Sequence, residues 1–172
     1  MKAKTAKETL AQTSKIVLPN DTNVLGNLMG GQLLNWMDIT AGIAAQRHSR
    51  RVVVTASVNN VSFSKPVKLG DVITIEAKVS RAFTSSMEVY LDVHVDLNNG
   101  KTEKVNEAIY TFVAVDQNGS AIEVPDLIPE TELEKERFDG ALRRRQLSLI
   151  LAGKMKPKDA TELKAIFDLE PN

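Results

Sequence analysis

The sequence contains no cysteine, and this absence excludes disulfide bonds, thiol nucleophiles and thiolate metal sites at once. Only two histidines are present, His48 and His94, so we expect no bound metal of the histidine-rich kind. The 22 basic and 22 acidic side chains give a formal net charge of zero, so no bulk electrostatic attraction favours nucleic acid or membranes as partners. No apolar run is long enough to span a bilayer. These absences favour a soluble, cytoplasmic protein.

Residues 21–48 form the stretch around which the rest of the chain is organised. Between Asp21 and Arg47 the one ionisable side chain is Asp38. From Gln32 onward the stretch has no proline and is apolar nearly all round, which predicts a helix of about four turns wrapped by other structure. A carboxylate in such surroundings needs a specific compensating contact. Asp38 is therefore either a satisfied structural aspartate or a working group, and residue types alone leave both possibilities open.

After this helix the apolar period changes from about 3.6 residues to 2, which indicates strands. Long strands joined by short turns are antiparallel neighbours, and one helix against such a sheet is an α+β architecture. The strands are predicted at 52–63, 72–80, 87–97 and 107–116. One sheet has too little surface to bury every face of the helix, so we expect a second subunit to cover the remainder.

The sequence changes character after Pro125. Residues 129–139 are acidic, three arginines follow at 143–145, and apolar residues then recur with helical spacing. This pattern predicts a pair of tail helices interrupted near Gly153 and Pro157. We therefore divide the chain into an α+β domain at 1–125 and a helical tail at 126–172.

An ordered set of short motifs runs through residues 18–48. It consists of a D-x-N loop, a Gly-Gly helix start, a Met-Asp pair and, after small residues, an Arg-His pair. In this chain the motifs are Asp21-Thr22-Asn23, Gly30-Gly31, Met37-Asp38 and Arg47-His48. Together they resemble the opening of the hotdog-fold acyl-CoA thioesterases, the acyl-CoA hydrolase family. Matches in the later strands extend the resemblance over roughly residues 10–120.

The resemblance implies a curled antiparallel sheet wrapped round the central helix, which is the hotdog fold. It also implies a homodimer with shared active sites, often assembled as three dimers in a hexamer. The implied reaction is hydrolysis of fatty acyl-CoA to free CoA and a carboxylic acid, with no cofactor apart from the CoA of the substrate. The catalytic pair carried over from the family is Asn23 and Asp38.

Thioester hydrolysis needs an activated water or nucleophile, and donors for the oxyanion of the tetrahedral intermediate. Asp38 would serve as base or as direct nucleophile, and the N–H groups of Gly30 and Gly31 would bind the oxyanion. Asn23 either holds the water or the carbonyl group, or is a turn residue bonded to its own loop. The side chains expected to contact CoA are Arg47, Lys65, Arg81, Ser85 and Ser86.

Two other functions are possible on this fold. Acyl hydratases and dehydratases rely on a histidine with an acidic partner, and we expect no histidine inside the central helix or its preceding loop. A non-catalytic module that binds or senses acyl-CoA is the other alternative. Such a module would not need a buried carboxylate, so Asn23 and Asp38 together favour hydrolysis.

Overall fold

The computed structural model describes residues 1–97 and 99–167, and at Asn60 the backbone alone. The chain divides into two compact units, Met1–Ile128 and Pro129–Asn172. This division lies three residues beyond the boundary expected from the sequence. The last five residues of the expected tail lie outside the described residues.

Helix α1, Gly30–Ser49, crosses the first unit. No side chain caps its N-terminus at Met29, and it ends at Arg50, whose φ of 56° is left-handed. The helix includes His48 in its last turn, so the expectation that no histidine lies inside the central helix is wrong. The buried positions of α1 recur every three or four residues because one side of the helix packs on a sheet. They are Leu33, Trp36, Met37, Thr40, Ala41, Ala44, Ala45, His48 and Ser49.

The sheet that faces α1 has five antiparallel strands. These strands are β2 (Ala11–Ile16), β3 (Val52–Phe63), β4 (Val72–Ala82), β5 (Ser86–Asp96) and β6 (Thr102–Val115). Across the sheet they lie in the order β2-β4-β5-β6-β3. Alternate residues of β4 and β5 are fully buried, as expected for a sheet with one covered face. The structure confirms the predicted α+β fold, an antiparallel sheet curled against a central helix. β6 begins five residues earlier than predicted.

One side of α1 and the edge strand β3 are left open in the single chain. Ile39 and Ile43 of the helix are 56% and 39% exposed. Val54 and Val58 of β3 are 48% and 42% exposed, and β3 has a paired neighbour, β6, on one side. The helix is therefore covered on one side and not all round, because five strands cannot enclose it.

Residues from both ends of the first unit form hydrogen bonds with the C-terminal end of α1. Strands β1 (Lys4–Thr5) and β7 (Leu127–Ile128) pair in parallel. Lys4 Nζ donates to the carbonyl oxygens of Arg47 and His48, at 2.8 and 2.5 Å. The fully buried ring of His48 donates from Nε2 to the carbonyl oxygen of Pro125 at 2.7 Å. Burial lowers the pKa of His48, and its Nδ1 atom has no partner in the described part of the chain.

The second unit contains helix α2, Glu132–Leu151, and the short helix α3, Thr161–Lys164. A capping box begins α2: Glu134 N–H donates to Thr131 Oγ1 at 3.2 Å, and Thr131 N–H donates to Glu134 Oε2 at 3.1 Å. The N–H of Leu163 donates to Gln146 Oε1 at 2.9 Å and so joins the two helices. These helices confirm the predicted helical tail. Among the described helices, none is long and apolar enough to cross a membrane.

Candidate active site

Asp38 lies in the middle of α1 on the side that faces β3, and its side chain is half-buried. The hydroxyl of Thr55 in β3 donates to Asp38 Oδ1 at 2.8 Å. Within residues 1–97 and 99–167, the second carboxylate oxygen has no hydrogen-bond donor and no cation pairs with the group. The carboxylate is thus oriented through one oxygen, while the other remains available.

Thr55 was not among the candidates from the sequence. It follows three valines directly, and the hydroxyl residues Ser57 and Ser62 come later in the same strand. The run of residue types therefore does not single out Thr55. Whether Thr55 contacts Asp38 depends on how β3 is positioned against α1, and no short sequence motif encodes that position.

Asn23 lies in the loop before α1 and is exposed. Its Oδ1 atom accepts hydrogen bonds from the N–H groups of Leu25 and Asn27, at 2.9 and 3.2 Å. These bonds correspond to the alternative in which Asn23 is a turn residue of its own loop. Its amide nitrogen makes no hydrogen bond within the described chain, so the same side chain still offers two donors.

The loop is also fastened to the rest of the domain. The N–H of Leu28 donates to the carbonyl oxygen of Val67 at 2.7 Å, and the N–H of Met29 donates to that of Asp21 at 2.9 Å. Both bonds hold the loop beside the N-terminus of α1.

The first turn of α1 has free backbone donors. The N–H groups of Gly30, Gly31 and Gln32 have no acceptor among the described residues, because no side chain caps the helix. A Cβ atom on Gly31 would meet no heavy atom within 4 Å, whereas one on Gly30 would lie 3.3 Å from the ring of Phe63. Gly31 therefore lets another molecule approach the helix N-terminus, where the dipole favours negative charge.

A cavity of about 280 Å³ adjoins this end of the helix. Residues of the Asn23 loop, the first turn of α1 and the end of β3 contribute to its wall. Most of the lining is apolar, and the full set is Asn27, Leu28, Leu33, Phe63, Ser64, Lys65, Pro66, Val67, Val105 and Asn106. The cavity combines an apolar wall with nearby free backbone donors.

The residues expected to contact CoA do not form one cluster in the single chain. Lys65 lines the cavity and forms an ion pair with Glu103. Arg47 lies near the opposite end of α1, seventeen residues after Gly30 or about 25 Å along the axis, and donates to the carbonyl oxygen of Leu10.

The turn between β4 and β5 carries the other expected CoA contacts. The guanidinium of Arg81 lies over the ring of Phe83, 5.9 Å from its centroid. Ser85 is half-buried, and Ser86 is 8% exposed. Ser86 pairs with Val113, and Val113 pairs with Val54 near the start of β3. The turn therefore lies at the Arg47 end of the sheet, away from the cavity.

In the described ranges, no group of three or more His, Cys, Asp or Glu residues could hold a metal ion.

Comparison with known proteins places the chain in a family. The family model of the thioesterase superfamily matches residues 25–98. The chain is 42% identical to acyl-coenzyme A thioesterase 11 of Mus musculus over 86% of its length, yet spans 25% of that longer protein. It is 40% identical to an uncharacterised acyl-CoA thioester hydrolase of Bacillus subtilis, YkhA, over 80% of this chain and 81% of that one.

Solved structures show the same relationship over most of the chain. An acyl-CoA hydrolase from Staphylococcus aureus, solved with butyryl coenzyme A, coenzyme A and coenzyme A disulfide, superimposes with a TM-score of 0.83 at 36% identity. The match covers 95% of this chain and 99% of that one. An acyl-CoA thioesterase described as hexameric matches with a TM-score of 0.85 at 34% identity, over 88% of this chain and 98% of that one. The chain therefore belongs to the thioesterase superfamily, among its acyl-CoA thioester hydrolases.

Proposed function

We propose that this chain hydrolyses fatty acyl-CoA to free CoA and a carboxylic acid, with Asp38 as the catalytic carboxylate. The observation that carries the proposal is the half-buried Asp38 side chain, oriented through one oxygen by Thr55. Its other oxygen has no partner within the described chain. Because the side chain is half-buried, water or a substrate can reach this oxygen. The second oxygen is therefore free to act on a substrate.

In the proposed reaction a water oxygen attacks the thioester carbonyl carbon while a proton passes to the Asp38 carboxylate. The carbonyl oxygen becomes an oxyanion, which the N–H groups of Gly30 and Gly31 stabilise. Collapse of the intermediate breaks the carbon–sulfur bond, and the CoA thiolate takes up the proton as it leaves. Direct attack by Asp38, followed by hydrolysis of the mixed anhydride, uses the same groups. Neither route needs a cofactor beyond the CoA of the substrate.

The spacing of residues in a relative supports Asn23 and Asp38 as the catalytic pair. Variants of the Staphylococcus aureus hydrolase with alanine for an aspartate, a threonine and an asparagine have been solved. In that enzyme fifteen positions separate the asparagine from the aspartate, and seventeen separate the aspartate from the threonine. The same intervals separate Asn23 from Asp38 and Asp38 from Thr55 in this chain.

The proposed active enzyme is a homodimer formed along β3. The exposed residues Ile39, Ile43, Val54 and Val58 lie on the open side of α1 and on β3. An exposed edge strand with apolar residues beside it is a surface that natural proteins normally cover. Two-fold antiparallel pairing of β3 with its copy would continue the sheet and bury these residues.

The same pairing would assemble each site from two chains. Antiparallel β3 strands bring the Val52 end of one beside the Phe63 end of the other. The Asn23 loop, Gly30 and Gly31 of one chain would then approach the Arg47 end of its partner. This arrangement would unite oxyanion donors, catalytic residues and CoA-binding cations that one chain keeps apart. The hexameric relative supports an assembly of three such dimers in a hexamer. The proposal also includes the cytoplasmic location expected from the sequence.

The test is release of free thiol from acyl-CoA substrates of increasing chain length, with wild type and Asp38→Asn compared. The substitution keeps the shape of the side chain and removes the base, so turnover should fall by about 10² or more. Asp96→Asn is the matched control because Asp96 is exposed at the end of β5. A folded Asp38→Asn enzyme that retains normal turnover would refute the catalytic role.

A further inference from the structure

The hydroxyl of Tyr110 is bonded to the helical turn that carries Asp38. Tyr110 lies in β6 with 1% of its surface exposed, and its hydroxyl donates to the carbonyl oxygen of Leu34 at 3.0 Å. In an α-helix the same carbonyl accepts the N–H four residues later, which belongs to Asp38. A carbonyl oxygen has two lone pairs and can hold both donors. The phenol therefore reaches the backbone atom that also anchors Asp38.

The phenol of Tyr110 is packed against another ring and protonated. Its ring stacks on Phe112, with centroids 6.4 Å apart and planes inclined by 15°. Burial, together with the negative charge of Asp38, raises the pKa of Tyr110 to about 12. Tyr110 thus remains a hydrogen-bond donor throughout the neutral pH range.

Asp38 is consequently held from two neighbouring strands. Thr55 in β3 fixes the carboxylate itself, and Tyr110 in β6 fixes the turn behind it. β3 and β6 are paired, with Tyr110 opposite Val58, so both contacts come from one pair of hydrogen-bonded strands. A displacement of about 1 Å of a reacting group can cost 10²-fold in rate. Small movements of this turn would therefore lower the turnover rate.

We infer that Tyr110 is a positioning residue for thioester hydrolysis: its hydroxyl fixes the turn of α1 that presents the Asp38 carboxylate. The inference depends on the proposed catalytic role of Asp38. It assigns Tyr110 no contact with the substrate. Loss of the hydroxyl should therefore affect the chemical step and leave substrate binding unchanged.

The variant that tests this inference is Tyr110→Phe, which keeps the ring and removes one oxygen. The Leu34 carbonyl still accepts the Asp38 N–H, so no buried acceptor is left without a partner. We expect kcat to fall about tenfold with KM changed less than twofold. Tyr90→Phe, on the neighbouring strand β5, removes the hydroxyl of the other tyrosine and should leave both constants unchanged.

A second background separates a positioning role from an independent one. If the hydroxyl acts through the Asp38 carboxylate, Tyr110→Phe should not lower kcat further in Asp38→Asn enzyme. An unchanged kcat in the single variant, or an equal loss in both backgrounds, would overturn the inference. A fully active Asp38→Asn enzyme would instead overturn the proposed function, so the two failures are distinguishable.

A spectroscopic measurement does not depend on folding of Tyr110→Phe. Because the chain has two tyrosines, 3-fluorotyrosine incorporated into Tyr90→Phe protein labels position 110 alone. Its fluorine resonance should shift on Asp38→Asn and stay in place on Asp96→Asn. A resonance that does not shift on the Asp38 substitution would contradict the inferred coupling between Tyr110 and Asp38.

Discussion

Mixed dimers of two inactive variants provide the sharpest test of a site shared between subunits. In one chain Asp38 lies eight residues after Gly30, or about 12 Å along the axis of α1. Asn23 lies before the helix in a loop that is bonded to Val67 through Leu28. That loop would have to leave its attachment in order to reach its own Asp38. A two-fold partner could instead offer its loop without rearrangement.

The expected magnitude follows from counting sites. Asn23→Ala and Asp38→Asn are each expected to be nearly inactive. When equal amounts are unfolded, mixed and refolded, random pairing makes half of the dimers mixed. Each mixed dimer has one site with both intact residues and one site with neither. Half of the dimers with one of two sites active gives about a quarter of wild-type activity.

The assay is free-thiol release at saturating acyl-CoA, with differently tagged variants so that mixed dimers can be confirmed. Activity that stays at the level of the parent variants, despite confirmed mixed dimers, would refute the shared site. Wild type mixed with the double variant Asn23→Ala/Asp38→Asn is the complementary control. If the sites are shared, only dimers of two wild-type chains are active, and about a quarter of all sites remain active. If each site lies within one chain, every wild-type chain is active, and about half of all sites remain active.

Two further predictions concern CoA binding and pH. Arg81→Ala should raise KM several-fold at low ionic strength with little change in kcat, because a cation near a phosphate contributes mainly to binding and is screened by salt. An unchanged KM at low salt would remove Arg81 from the CoA site. Burial lowers the pKa of His48 below its ordinary value of 6.5, so the unfolded state binds more protons and the free energy of unfolding should decrease as pH falls below that value. Denaturant titrations between about pH 7.5 and 5.5 should show that the free energy of unfolding decreases more steeply for wild type than for His48→Gln. Equal slopes for the two proteins would contradict a lowered pKa of His48.

Local sequence patterns were sufficient to predict most of the first unit. The run from Gly30 to the cations at its end corresponds to α1, and the β-branched run at 52–63 has the bounds of β3. Periods of 3.6 and 2 are properties of consecutive residues, so these elements can be recognised without their neighbours. The start of β6 was missed because residues 102–104 are all polar, whereas the adjacent strand β5 pairs them into the sheet.

The tertiary structure decided which residues surround Asp38. The sequence singled out this aspartate because it is an isolated charge in an apolar stretch. Its contact with Thr55 spans seventeen positions, and a register shift in β3 follows directly after Thr55. The contact of Tyr110 with Leu34 spans seventy-six positions and two elements. Such contacts depend on how a helix sits over paired strands, and no local period records that placement.

The distribution of the expected CoA contacts also required the folded chain. Arg47 and Lys65 are eighteen positions apart in sequence, yet they lie at opposite ends of the domain because β3 runs back along α1. The sequence by itself determined the helix, the strands and a carboxylate in need of a partner, because each is set by residue type and spacing. The tertiary structure alone decided the hydrogen bonds to that carboxylate and its helix turn, and the open apolar side of α1, because these depend on strand order and register.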